Sequence, residues 1–113
     1  MALFAVIGLD HPPDSMALRE EYRAEHRSYV RGNDDMTRLA GALFNTAGNQ
    51  CGTLTIFEAD NAEQVWEWYR AEPFYRNKVY KDFTILEWRA ALNLIEKTNG
   101  WVTNYPRGRD SEM

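Results

Sequence analysis

Acid–base chemistry near neutral pH needs a side chain that gains and loses a proton there, and histidine, with an ordinary pKa of about 6.5, is the usual one. The chain has two, His11 and His26. His11 precedes Pro12 and Pro13 in a stretch that reads as an exposed turn. His26 lies instead on an apolar stripe of Leu18, Tyr22, His26 and Tyr29/Val30, whose spacing is helical, so its ring should face a core. There it is either a packed core histidine with both ring nitrogens satisfied, or a proton carrier whose tautomer a carboxylate fixes. Two acidic residues are placed to be that carboxylate: Asp10, closing the first apolar segment, and Glu72, closing a later helix. Without such a role, Asp10 is turn chemistry ahead of two prolines and Glu72 is a solvated helix terminus.

Other chemistries lack their residues. Cys51 is the one cysteine, so it can form neither an internal disulfide nor a zinc set. Between Gln50 and Gly52 it reads as a small residue at a strand start rather than a nucleophile. Two histidines and one cysteine at no ligand spacing imply no metal. GxGxxG, P-loop, GxSxG and HExxH patterns are absent, and no cofactor is expected. Thirteen basic and seventeen acidic side chains give a net charge of −4, with no Lys/Arg run of five, which argues against a nucleic-acid partner. The run Ala2–Leu9 is too short to span a membrane and has no basic residue before it, so neither membrane contact nor a secretory signal is expected, and the chain reads as cytoplasmic.

At 113 residues the chain has room for one domain, expected over 1–95, with a polar tail over 96–113 relieved only by Trp101, Val102 and Tyr105. About two-thirds of its surface can be buried on folding, enough for a core without a staple. Ala2–Leu9 reads as a strand with Leu3, Ala5, Ile7 and Leu9 on one face and Phe4, Val6 and Gly8 on the other. A helix capped by Asp14 or Ser15 runs to about Arg31, with Arg19, Glu20, Arg23, Glu25 and Arg27 assigned to its solvent side. Strands follow over Met36–Phe44 and Gly52–Glu58. Asp60-Asn61-Ala62-Glu63 fits a capping box that opens a helix through Ala71, ended by Glu72-Pro73. Trp66 and Trp68, two apart on that helix, cannot share a face, so one is expected in the core and one at an interface. After a turn over Phe74–Lys78 comes the last strand, Tyr80–Leu94, with Phe83/Ile85 and Leu86/Trp88 on opposite faces.

The order β-α-β-β-α-β predicts an α+β fold, the ferredoxin-like split βαβ plait, with one antiparallel sheet and both helices on one face. Asp10 and Glu72 then fall at the same end of the sheet, with His26 beneath them. The strands that are apolar on both sides leave a bare apolar sheet face, which a second copy of the chain is expected to cover.

Short motifs along residues 2–90 resemble those of the YciI-like (YCII-related) family of small dimeric α+β barrels. They are Asp10 closing the first strand, Arg23-Ala24-Glu25-His26 in the first helix, Ala40-Gly41-Ala42, Gly52-Thr53, Glu72-Pro73-Phe74, and Glu87-Trp88 near the end of the last strand. The chain departs from the family pattern at Glu72 (Asp), Ala42 (Pro) and Asn77-Lys78 (Ala-Gly). The resemblance implies a barrel similar to that of the muconolactone isomerases, an active-site His–Asp pair, and in some members dehydrochlorination of aromatic compounds. Carried over, it implicates His26 with Asp10 or Glu72, and makes Arg23, Thr53 and Phe74 candidates for substrate contact. The reading is a cofactor-independent isomerase or lyase that removes a proton from a small cyclic or aromatic metabolite. A non-catalytic ligand-binding dimer and a cofactor-free monooxygenase are the alternatives, and turnover separates them.

Overall fold

In the computed structural model, which describes residues 1–92, the elements run β1 (Ala2–Asp10), α1 (Met16–Gly32), β2 (Thr37–Phe44), β3 (Gln50–Ala59), α2 (Ala62–Arg70), α3 (Pro73–Arg76) and β4 (Tyr80–Trp88). The four strands form one antiparallel sheet in the order β2-β3-β1-β4. This is the expected α+β split βαβ plait. β1 lies inside the sheet, with Val6 opposite Thr55 on one side and Ile85 on the other. That position explains why both of its faces are apolar.

One face of β1 packs under the helices. Phe4 and Val6 join Phe57 and Ala59 of β3 and Val65 and Tyr69 of α2 in a single core cluster. Gly8 belongs to this face, where the ring of Tyr80 occupies the space a Cβ would need; at Gly52 a Cβ would strike the Gly8 carbonyl. The opposite face carries Leu3, Ala5, Ile7 and Leu9, flanked in register by Leu54 of β3 and by Leu86 and Trp88 of β4. Leu9, Leu39, Leu86 and Trp88 are exposed.

Several local readings change. Arg19 is not on the solvent side of α1 but buried, together with His26 and Val30, while Leu18 and Tyr22 are only half-buried. The inward face is therefore rotated toward the Arg19–His26–Val30 line. The capping box sits one residue later than expected: Asn61 accepts from the Gln64 amide, and the Gln64 side chain accepts from the Asp60 amide. Trp66 and Trp68 are both half-buried; Trp66 contacts the rings of Tyr75 and Phe83, and Trp68 those of Tyr29, Phe57 and Tyr69. The segment after Glu72 is a turn of helix, α3, with Pro73 in its first turn. β4 stops at Trp88, and the tail expected from 96 lies outside the described residues. Lys78 stands at φ +60, a left-handed conformation that a glycine adopts without a Cβ penalty.

Candidate active site

Three elements converge on His26. It projects inward from the third turn of α1 and is 4% exposed. Glu72, in the link between α2 and α3, is 1% exposed and approaches it from above. The stacking ring is Phe74 of α3, parallel to the imidazole within 6° at 3.8 Å between centroids. The proline after Glu72 holds that residue extended, at φ −79 and ψ 126, and so lets its carboxylate fold back over α3 as the helix cap.

The Glu72 carboxylate accepts the Phe74 amide on Oε2 at 3.0 Å and the Tyr75 amide on Oε1 at 3.1 Å. His26 Nδ1 lies 2.5 Å from Oε2. With both carboxylate oxygens already serving as acceptors, the shared proton belongs on Nδ1, which donates. Nε2 is then the free end of the imidazole. It is buried and has no hydrogen-bond partner among the described residues. An Nε2 with no partner, opposite an Nδ1 held by a carboxylate, is the arrangement that general-base chemistry uses.

His26 lines a small cleft with about 20 Å³ of enclosed space, room for about one water, walled by Val30, Ala40 and Trp68 among others. Its polar lining includes Thr37 of β2, Thr55 of β3 and Tyr69 of α2. The Tyr69 phenol is pushed well above its ordinary value, first by burial and then by the neighbouring Tyr80, with a hydrogen bond to Thr55 opposing. Burial, followed by the charge of Glu72, also raises Tyr80. Raised folded-state values favour the neutral phenols, so this stability is complete below about pH 10 and is lost as pH climbs toward the folded values. In an alkaline titration, phenolate absorbance from Tyr69 and Tyr80 should appear only together with loss of circular dichroism. Complete ionisation of every tyrosine with the fold intact would contradict that.

The two candidate carboxylates have separate partners. Asp10, at the end of β1, meets Arg19 in a two-pronged ion pair, Nε to Oδ2 and Nη2 to Oδ1, each 2.9 Å and both side chains buried. Arg19 also lies over the rings of Phe74 (5.2 Å) and Tyr80 (5.8 Å), so Phe74 touches both the His26–Glu72 and the Arg19–Asp10 pairs. Thr53 belongs to the second cluster, its hydroxyl donating to the Tyr80 oxygen at 3.1 Å. Arg23 is half-buried and pairs with Glu20 at 2.7 Å. Arg23, Thr53 and Phe74 are not among the residues lining the cleft. Sequence reading missed Arg19, although it lies seven residues before His26, two helical turns along the same face. It also missed Thr37, Thr55 and Tyr69 as cleft residues.

Among the described residues no cluster of three or more His, Cys, Asp or Glu could hold a metal, and no helix is long and apolar enough to cross a membrane. The YCII-related domain model matches residues 2–89. No curated protein matches the chain. Among solved structures, one similar to this chain is the 5-chloro-2-hydroxyhydroquinone dehydrochlorinase of Burkholderia phenoliruptrix AC1100, in complex with 2,5-dihydroxybenzoquinone. The likeness has a TM-score of 0.69 at 20% identity and covers 77% of this chain and 93% of the other. It is a likeness of fold.

Proposed function

The chain belongs to the YCII-related domain family, and on that footing we propose that it is an acid–base enzyme of the isomerase or lyase type, acting in the cytoplasm on a small cyclic or aromatic-derived metabolite. The observation that carries this reading is the buried His26–Glu72 pair, with Nε2 unpartnered and His26 lining a cleft. In the proposed step Nε2 takes a proton from an O–H, or from a C–H beside a carbonyl. The electron pair left behind moves into the ring system. It is then reprotonated at another carbon, which is isomerisation, or it expels a leaving group from a saturated carbon as an anion, which is elimination; an aryl chloride reaches that state once its chlorine-bearing carbon has taken up a proton. No electron leaves the substrate in either course. Glu72 keeps the imidazole in the productive tautomer and stabilises the imidazolium that forms. The named reaction of the structurally similar dehydrochlorinase is of the eliminating kind.

The test is turnover on chlorinated polyhydroxybenzenes, read as chloride release, and on unsaturated lactones, read as a shift in ultraviolet absorbance, with His26→Ala as the control. Turnover that disappears in the variant supports the proposal. Turnover at the wild-type rate in His26→Ala would overturn it, as would no reaction with either class.

The working unit is proposed to be a homodimer closed through the open sheet face. Leu9, Leu39, Leu86 and Trp88 are exposed there beside the half-buried Leu3, Ala5, Ile7 and Leu54, a contiguous apolar surface of the kind soluble monomers rarely leave bare. A two-fold contact places the same patch on both copies. Light scattering at micromolar concentration should give twice the 13.2 kDa chain mass, and Leu86→Asp should shift the mass toward that of one chain. A monomeric wild type would refute the covered face.

A further inference from the structure

One buried ion pair has no part in the proposed chemistry. Neither Asp10 nor Arg19 lines the cleft, yet both are buried and joined by two bonds of 2.9 Å. A buried pair is weak evidence of stability, because desolvation offsets most of the attraction, so its presence asks for another reason. What it holds is Phe74. The Arg19 guanidinium lies 5.2 Å from the Phe74 centroid, and His26 stacks on the same ring at 3.8 Å with the planes 6° apart. Arg19 and His26 are seven residues apart on α1, a rise of about 10.5 Å. A ring reaching in from α3 fits between two side chains so spaced, and the imidazole already fills one of its faces.

We infer that Arg19 is a positioning residue for His26, acting through Phe74 and itself held by Asp10. This deepens the proposed acid–base reading and rests on it. The bond between Nδ1 and Glu72 pins one corner of the imidazole and leaves the ring free to turn about that bond. The parallel stack stops the turn, so the plane of Phe74 decides where Nε2 aims. Phe74 is fixed in its turn. Its amide donates to Glu72 Oε2, the same oxygen that faces Nδ1, and its ring lies against a guanidinium that two bonds hold still. A planar, forked arginine suits this task, whereas a flexible side chain fills the space without fixing it. Groups that react need such support, because a small misalignment of a reacting atom is costly. Asp10 thus reaches the proposed base through two side chains rather than as its hydrogen-bond partner.

The test is the double variant Asp10→Leu with Arg19→Met in the full chain, which removes both buried charges, keeps side-chain volume and leaves Phe74, His26 and Glu72 in place. Ring relaxation is measured by NMR on isotope-labelled histidine, with the exposed His11 as internal control. The wild-type His26 ring should be as rigid as the backbone, with an order parameter of about 0.85. In the double variant it should fall below about 0.6, while His11 stays unchanged. Phe74→Leu should free the ring to the same extent, and adding it to the double variant should free it no further. Turnover in the proposed reaction should fall about 10–100-fold in the double variant with KM nearly unchanged. Should the double variant fail to fold, Asp10→Asn with Arg19→Gln makes the same comparison. A folded double variant whose His26 ring stays rigid would overturn the inference, as would a wild-type ring that is already mobile. No turnover by wild type overturns the acid–base reading instead, and the ring relaxation still decides the positioning.

Discussion

Replacing His26 with Gln should lower turnover by about 10²–10⁴, the share usually carried by one proton-transfer group, which corresponds to roughly 3–5 kcal/mol of barrier. The fold should persist, because the lost ring borders a cleft and Gln can still donate to Glu72. Glu72→Gln should act through the same step from the other side. Its carboxamide can present N–H to Nδ1, which then must accept, and the proton moves to Nε2. The base is left in the wrong tautomer. Because the two residues work as one unit, the double variant should be about as slow as the slower single rather than slower by the product of both effects. Rates measured for wild type, both singles and the double check this. Fully multiplicative losses would show that Glu72 acts independently of His26.

The second large effect concerns stability. Asp10→Ala removes the carboxylate held between the two prongs of Arg19 while that guanidinium stays 2% exposed. Losing one member of a buried ion pair costs about 3–5 kcal/mol, a large part of the roughly 5–15 kcal/mol that holds a domain together. The pair Asp10→Leu with Arg19→Met should recover most of that loss, since it removes both buried charges and keeps volume for Phe74 and Tyr80 to pack against. Urea unfolding of the three proteins is the measurement. If Asp10→Ala costs no more than about 1 kcal/mol, the pair behaves like a surface contact and its burial has been misjudged.

The contrast between these two pairs shows what a sequence can carry. The fold was legible because β1 announces burial on both faces and the helices announce it on one. His26 was legible for the same reason, as a polar residue on a helical stripe. Glu72 could be placed at the right end of the sheet from Pro73 alone, but its choice as the partner of His26 over Asp10 was not legible. That choice depends on α3, a four-residue helix whose amides draw the carboxylate back toward α1. Arg19 was read as solvated because an arginine is almost never buried without a partner, and its partner lies nine residues earlier in another element. At α2 two overlapping pairs fit the capping pattern, Asp60 with Glu63 and Asn61 with Gln64. The second is the one formed, with Val65 and Tyr69 turned into the core. Thr37 gives no local signal at all, since a threonine opening a strand is what strand propensity alone would select.

Sheet order also bears on how such a protein diversifies. Thr37 and Ala40 line the cleft from β2, an edge strand bonded to β3 alone, whereas the proposed proton carrier and its carboxylate stand on α1 and the cap of α3. In the proposed reading, the reacting groups and this wall of the cleft stand on different elements with different constraints. Drift along the edge strand can resize or repolarise one wall of the cleft without moving a nitrogen of His26. Drift at Glu72 alters a helix terminus and the proposed base together, and selection would purge it on both counts. A lineage built on this plan would conserve its chemistry and scatter its substrates.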